Sequence, residues 1–546
     1  MDIHTFFLLL SLLSMLTPSS SLTLVPHHLC EQSLEKQRCV SHVSELLTSN
    51  DDVQNLTVLH SFLMESTSHI HKAMYKSNSI KQWSKNMNIL KNTTPTSRDQ
   101  VAFFDCEKLL ELSMHRLGDS MMALRSNSNS TRIPLESQHD AHTWLSSVLS
   151  YHVTCLEGLE GLTTRAFIEA DLENLISRAK TSLDMFVAIF PPKEKDYEEA
   201  LVIDEFPSWV ASEDRKLLES SSSVKDVIKP NVVVAKDGSG NFKTASEAVV
   251  SAPNNAQRRF IILVKKGTYV EQVNIGKTKS NLMLVGEGMD TTIIAGSLNN
   301  KDGQPISISG TISSDDPGLI LKDLCIQNTA GAQKDQAVAL RANEDRTVVY
   351  RCRIEGFQDT LYAQAQRQFY RECIIAGTVD FIFGDASTVI QNSKIIARRP
   401  INGQSNIVTA QKRSYPKENT GTSIQHCDII PSPELGPVIG RIKTYLGRPW
   451  GSFSRTVVME SFIDKHVDPA GWQVWSSDED PMVKTKTLYY GEYENKGPGA
   501  DVSRRVKWSG FHVITNRADA FNFTVGRLIN GRAWLPSTGV PFDVGL

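Results

Sequence analysis

Asp359 and Asp380 stand 21 residues apart, in Gly356-Phe357-Gln358-Asp359-Thr360-Leu361-Tyr362 and Gly377-Thr378-Val379-Asp380-Phe381-Ile382-Phe383-Gly384. Gln336 precedes Gln358 by 22. Steps of that size match one coil of a stacked parallel solenoid, where residues one coil apart become neighbours about 4.8 Å away. Two carboxyl groups about 5 Å apart cannot both ionise cheaply, so one pKa must rise and the pair divides into a carboxylate and an acid. Phe357, Phe381 and Phe383 are expected to sharpen that division by keeping water away. A single Asp beside Gly more often caps a solvated turn, and it is the shared spacing that points to chemistry. No Gly-x-Ser-x-Gly occurs, which disfavours a serine nucleophile.

The elements that must hold these residues change character along the chain. From about residue 28 to 190 apolar residues recur at helical spacing, as in Trp144, Leu145, Val148, Leu149, Tyr151, His152 and Leu156, which predicts a helical bundle. Between Pro191 and Lys229 the pattern dissolves into Pro, Lys and Glu and a serine run, which predicts a linker. Inside it, Arg215-Lys216-Leu217-Leu218 offers a dibasic step to a processing protease. After Pro230 come short β-branched runs separated by Gly, Asn and Asp: Val232 to Ala235, Phe260 to Val264, Leu282 to Val285, Thr292 to Ala295, Ala337 to Leu340, and Val348 to Tyr350. Strand runs every 20 to 25 residues fit the coils of a parallel β-helix better than a sandwich.

Charge divides at the same boundary. Residues 1–229 carry 21 Lys+Arg against 30 Asp+Glu, whereas residues 230–546 carry 37 against 31. An acidic half can lie against a basic one, and the basic half alone can attract a polyanion. The apolar run Phe6 to Leu16 is too short to span a bilayer comfortably and, with the polar stretch Thr17 to Ser21, reads as a cleaved secretory signal over residues 1–21; the alternative is an uncleaved signal anchor, since Asp2 and His4 stand ahead of the run in place of Lys or Arg. Glycosylation acceptors at Asn55, Asn92, Asn129 and Asn522 suit that route. Each half has four cysteines, Cys30, Cys39, Cys106 and Cys155, then Cys325, Cys352, Cys373 and Cys427, and each set allows three pairings.

The stretch around the aspartates resembles the plant pectin methylesterases, the pectinesterases of the parallel β-helix class. The resemblance rests on Gly331 to Arg341, Phe357 to Tyr362, Arg367-Gln368-Phe369-Tyr370-Arg371, Gly377 to Gly384 and Tyr445-Leu446-Gly447-Arg448-Pro449-Trp450. It continues through Gly471-Trp472, Leu488 to Tyr493 and Arg505-Val506-Lys507-Trp508. The acidic half resembles the pectinesterase-inhibitor domain, a four-helix bundle preceded by a helical hairpin. The resemblance therefore implies two domains: a helical pro-domain over 22–190, a linker over 191–229, and a right-handed parallel β-helix catalytic domain over 230–546.

Roles follow from the same likeness. Asp380, held ionised by Arg448, is the expected nucleophile on a methyl-esterified galacturonate, and Asp359 the proton donor and acceptor. Gln336 and Gln358 are the expected oxyanion donors, while Arg448, Trp450, Gln336 and Trp472 are expected to bind substrate. No metal or other cofactor is expected. The implied disulfides are Cys30 with Cys39, Cys106 with Cys155, and Cys325 with Cys352; Ser393 stands where the family commonly has a cysteine, which deprives Cys427 of a partner. Gln364-Ala365 replaces a common His-Ser, and Gly451 a larger residue, without touching the catalytic set.

The expected setting is a secreted, cell-wall enzyme, monomeric and indifferent to nucleic acid. Its expected partners are methyl-esterified pectin, pectinesterase-inhibitor proteins and a subtilisin-like processing protease. Two other functions compete. A pectin-cleaving glycosidase or lyase on the same fold could also use paired carboxyls, but the two glutamines suit an oxyanion and have no evident task in glycoside cleavage. A binding or inhibitor protein would leave the set Gln336, Gln358, Asp359, Asp380 and Arg448 without purpose.

Overall fold

The computed structural model describes residues 24–46, 55–91, 97–125, 132–162, 165–192, 229–315, 317–475, 480 and 482–546. The expected signal, the acceptors Asn92 and Asn129, and the dibasic step at 215–218 lie outside those residues. The N-terminal half is helical, as its periodicity predicts. Helices α1 (Leu24–Leu29) and α2 (Lys36–Ser44) form a hairpin ahead of four longer ones, α3 (Asn55–Lys91), α4 (Ser97–Ala123), α5 (Leu135–Gly158) and α6 (Glu169–Ile189). Each turns an apolar stripe inward: Leu59, Phe62, Leu63 and Ile70 from α3 meet Leu109, Leu110, Leu145, Leu149, Leu172 and Leu183. Cys30–Cys39 closes the hairpin and Cys106–Cys155 ties α4 to α5, the pairings that the family likeness implies. Helix α6 stops before Pro191-Pro192, whose missing N–H groups cannot continue it.

Among the described residues the C-terminal half is a parallel β-helix of three sheets with 11, 8 and 7 strands, in which strands pair with their counterparts one coil on. Registered stacking builds the core. In the largest sheet Ile262, Leu284, Leu321, Val349, Tyr370, Ile390, Ile424 and Val458 follow one another inside the solenoid. Each buried aliphatic side chain stabilises the fold by about 1.5–3 kcal/mol relative to exposure. The outer face of that sheet, with Met283, Val348, Phe369 and Val389, is covered by the C-terminal segment through Val525, Leu528, Trp534 and Leu535.

The corner after the largest sheet explains the cysteines. Asp323, Arg351, Glu372, Asn392, His426, Glu460 and Glu494 each take a left-handed conformation there, with φ between 47° and 54°. The residue that follows points inward, which puts Cys352, Cys373 and Cys427 in the apolar core. Cys325 lies one position further along and pairs in register with Arg353, so alternation turns it to the opposite face from Cys352. The expected Cys325–Cys352 disulfide is therefore not formed, and all four of these thiols are free and buried. Burial pushes Cys325, Cys373 and Cys427 up to about 12 and Cys352 well above its usual value, so none is poised to react. Ser393 occupies the cysteine-ladder position between Cys373 and Cys427, and its hydroxyl accepts from the Cys373 amide at 3.0 Å.

Strand positions largely follow the sequence pattern, with one shift. The run Ala337 to Leu340 becomes a strand only over Leu340–Ala342. The Ala337 amide donates to Gln358 O, while Ala339 and Leu340 both donate to Thr360 O, so this segment enters the ladder irregularly.

Candidate active site

Asp359 and Asp380 each precede a strand by the same two residues, and those strands pair as Leu361↔Ile382 on adjacent coils. Both aspartates are left-handed, with φ of 62° and 49°. Repeating one turn on neighbouring coils aims both carboxyls to the same side, as the 21-residue spacing predicts. Each residue is only 6% exposed, so neither charge is well hydrated. The division of labour follows from the surroundings. Arg448 grips Asp380 with both edges of its fork, Nε to Oδ1 at 2.8 Å and Nη2 to Oδ2 at 2.5 Å. Asp359 has no such partner among the described residues: burial, and then the charge of Asp380, push its pKa well above the usual carboxylate range. Burial also raises Asp380, against the pull of Arg448. The proton therefore belongs on Asp359 and the negative charge on Asp380.

Gln336 and Gln358 sit beside this pair in turns of adjacent coils, both half-buried. Neither side-chain amide has a hydrogen-bond partner among the described residues, which leaves their donors free for a ligand. The apolar shell is partly as expected. Phe383 lies on the outer face, stacked on Tyr362 at 4.4 Å, and Phe357 carries the Arg398 guanidinium 3.9 Å from its ring centre. Phe381 alternates the other way into the solenoid core and cannot shield the pair as the sequence suggests.

The tryptophans also divide. Trp450 continues the outer aromatic wall, 6.1 Å from Phe383. Trp472, expected at the substrate face, is buried in the core, stacked on Tyr490 at 4.3 Å with Nε1 donating to Glu492 at 3.1 Å. It bridges to Gly447, where an added Cβ would lie 3.1 Å from its ring, so it closes the coil beneath the site and does not face the cleft. Trp475 takes the outer place, stacked parallel to Trp450 at 6.4 Å with Arg448 4.4 Å from its ring centre. The signal was present in Gly471-Trp472-Gln473-Val474-Trp475, but a segment that joins the ladder only through the isolated bridge at Trp472 offers no periodicity to say which ring faces out.

The helical half lies against this wall. Lys412, whose ammonium sits 4.5 Å from the Trp450 ring centre, is held by Glu157 at 2.6 Å and Thr154 at 2.9 Å, both from the end of α5. Thr154 also lies beside the buried Tyr362 hydroxyl. Further contacts follow the outer loops: Asp140 with Arg367 at 2.6 Å, Arg116 with Glu344 at 3.3 Å, and the Tyr415 hydroxyl donating to Asp184 at 2.8 Å. His142 donates from Nε2 to Lys417 O at 2.7 Å; burial lowers its pKa to about 4, so it bridges as a neutral ring. Ala365, one of the departures from the family pattern, packs into the apolar cluster of the bundle. The acidic and basic halves thus meet through paired charges, as their composition predicts. Of the expected glycosylation acceptors, Asn55 opens α3 and Asn522 lies in the C-terminal segment, both half-buried.

Comparison with known proteins agrees with this division. The pectinesterase family profile matches residues 231–532, and that of the plant invertase/pectin methylesterase inhibitors matches residues 25–185. A pectinesterase/pectinesterase inhibitor of Ficus pumila var. awkeotsang is 48% identical, covering 99% of this chain and 96% of its own. Pectinesterase/pectinesterase inhibitor 18 of Arabidopsis thaliana is 46% identical over 95% of this chain and 90% of its own. Among solved structures, pectin methylesterase from carrot is 49% identical, with a TM-score of 0.57, and covers 60% of this chain and 100% of its own.

Proposed function

This chain belongs to the pectinesterase family and hydrolyses the methyl esters of pectin, and on that ground we propose that Asp380 is its nucleophile and Asp359 its general acid and base. The observation that carries the assignment is the asymmetric pair, one carboxyl clamped by Arg448 and its neighbour left to keep a proton. A carboxylate oxygen of Asp380 attacks the ester carbonyl carbon, and the carbonyl oxygen becomes an oxyanion stabilised by the side-chain amides of Gln336 and Gln358. The tetrahedral adduct collapses with loss of methoxide, which takes the Asp359 proton and leaves as methanol. Asp359, now a carboxylate, removes a proton from the water that attacks the acyl-enzyme. That second collapse frees the galacturonate carboxylate and returns Asp380 and protonated Asp359. Arg448 is a positioning residue that orients and charges the nucleophile, while Trp450 and Trp475 offer flat faces to sugar rings.

Methanol release without new reducing or unsaturated chain ends is the expected outcome on pectin, since neither glycosidic bond cleavage nor elimination has a role in this scheme. Gln358→Ala should lower kcat by about 10²–10³-fold with little change in KM, because its donor acts on charge that exists only in the transition state. An equal rise in KM with kcat preserved would reassign Gln358 to ground-state binding.

The same reading makes the helical half an autoinhibitory pro-domain, because Thr154 and Glu157 of α5 occupy the aromatic wall through Tyr362 and Lys412. Cleavage at 215–218 by a subtilisin-like protease, followed by separation of the bundle, should raise methanol release at least about tenfold at equal enzyme concentration. Equal rates before and after separation would leave the bundle only a chaperone's part. Residues 1–21 direct export in this scheme, and the two disulfides of the bundle suit an oxidising compartment. The enzyme then works as a monomer on cell-wall pectin, with free inhibitor proteins able to take the place of its own bundle.

A further inference from the structure

Three of the motifs that carry the family likeness, Gly471-Trp472, Leu488 to Tyr493 and Arg505 to Trp508, take no part in the chemistry, yet the fold gathers one residue from each. Glu492 pairs in register with Val458, whose side chain lies in the solenoid core, so the ladder directs a carboxylate inward. Arg505 donates to it twice, Nε to Oε1 at 2.7 Å and Nη2 to Oε2 at 3.0 Å. The two side chains, Arg505 and Glu492, are only 1% and 2% exposed. Further guanidinium N–H groups donate to Gly499 O at 2.7 Å and Pro469 O at 3.2 Å. Gly471 gives the arginine room, since a Cβ there would lie 2.4 Å from Arg505 Cδ. Taking both charges out of water roughly offsets their attraction, so the pair adds little to stability and is better explained by the geometry it fixes.

That geometry is the seat of Trp472. Its Nε1 donates to Glu492 Oε1 at 3.1 Å, and its ring packs on Tyr490 at 4.3 Å and against Gly447. The backbone on either side is tied to the preceding coil: the Leu446 amide donates to Gly471 O at 2.7 Å, and the Gln473 amide to Gly447 O at 3.0 Å. Arg448 is the next residue along that coil, and its own amide donates the other way, to Thr409 O at 3.0 Å. Trp475 then brings its ring centre within 4.4 Å of the Arg448 guanidinium. The segment from Gly471 to Trp475 therefore supports Arg448 twice, once at the backbone and once at the fork, and the bond from Trp472 to Glu492 anchors that segment from inside the solenoid.

We propose that the buried Glu492–Arg505 pair is a positioning unit that, through Trp472, holds Arg448 in its two-pronged grip on Asp380. The inference rests on the esterase reading and deepens it, since it names what keeps the nucleophile ionised from outside the site. Without a fixed Trp472 the strand end that carries Arg448 gains freedom and the bidentate contact loosens. The Asp380 carboxylate then loses part of the positive charge that favours it over the acid. Asp380, Asp359 and Tyr490 are the titratable groups that face the Arg448 guanidinium. Burial pushes the Tyr490 pKa well above its usual value, so that ring stays neutral and the change falls on the two carboxyls.

The test uses the full chain, assayed for methanol release after linker cleavage, in two variants. Trp472→Phe keeps a ring against Gly447 and Tyr490 and removes the donor to Glu492. Glu492→Leu/Arg505→Met removes both charges together, so that neither is left alone in the core. Both should unfold within about 5 °C of wild type. In each, kcat on the pH plateau should fall about 10- to 30-fold with KM within about twofold, the signature of a displaced reacting group. The acid limb of kcat/KM, where Asp380 takes up its proton, should move to higher pH by about half a unit or more, while the alkaline limb does not move down. An acid limb that stays in place in both folded variants would overturn the proposal, whatever the loss of rate. Activity that falls only with the folded fraction would overturn it too, and would leave Glu492 and Arg505 as a plug for the last coils. Absence of methanol release from the wild type would instead sink the esterase reading, and the positioning role with it.

Discussion

Asp380→Asn should leave a folded protein whose methanol release from pectin falls on the order of ten-thousandfold or more. The substitution keeps the shape of the side chain and removes the attacking anion. It also exchanges a bidentate ion pair with Arg448, at 2.8 and 2.5 Å, for neutral hydrogen bonds, so the guanidinium keeps an acceptor but loses its counter-charge. Near-wild-type thermal unfolding measured beside the assay distinguishes loss of chemistry from loss of structure. Residual activity within about a hundredfold of wild type would assign the attack to another group, because a carboxamide oxygen is too weak a nucleophile to sustain it.

Asp359→Asn should cost about 10²–10⁴-fold in kcat and, more tellingly, should change the shape of the pH profile. In the wild type Asp359 must carry a proton at the moment methanol departs. Its activity is therefore full below its own pKa and lost as pH rises through it, and that pKa is pushed well up by burial and by the charge of Asp380. Asp380 must lack a proton, so activity is full above its pKa and lost as pH falls through it. The working window lies between the two and is bell-shaped. An amide at position 359 does not titrate, and the alkaline limb should disappear from the residual activity while the acid limb stays. An alkaline limb that persists unchanged in the variant would mean that a different group supplies the proton.

The catalytic pair was legible in the sequence because a solenoid converts sequence distance into spatial distance: 21 residues between Asp359 and Asp380 is one coil, and the paired strands Leu361 and Ile382 keep that step. Gln336 needed one more residue, since four positions separate it from Leu340 and three separate Gln358 from Leu361, and the irregular entry of Ala337 and Ala339 absorbs the difference. Helical spacing likewise identified the bundle, whose stripes from Leu59 to Leu183 meet as the pattern requires. These are one-dimensional signals: a period, a step, a change of composition.

What the sequence determined alone was thus the two architectures, the pair of carboxyls and the opposite charges of the halves. Which way a residue faces at a corner was decided only by the tertiary structure. A left-handed residue at each corner resets the alternation, so Cys352 points inward while Cys325 pairs with Arg353 on the other face, and their sulfurs never meet. Trp472 fell into the core and Trp475 onto the cleft for a similar reason, since only packing against Gly447 and Tyr490 selects between two rings three residues apart. The grip of Glu157 and Thr154 on Lys412, across some 255 residues of chain, obeys no period at all. It depends on two separately folded surfaces fitting together, and complementary shape is a property of the folded halves that no spacing along the chain encodes.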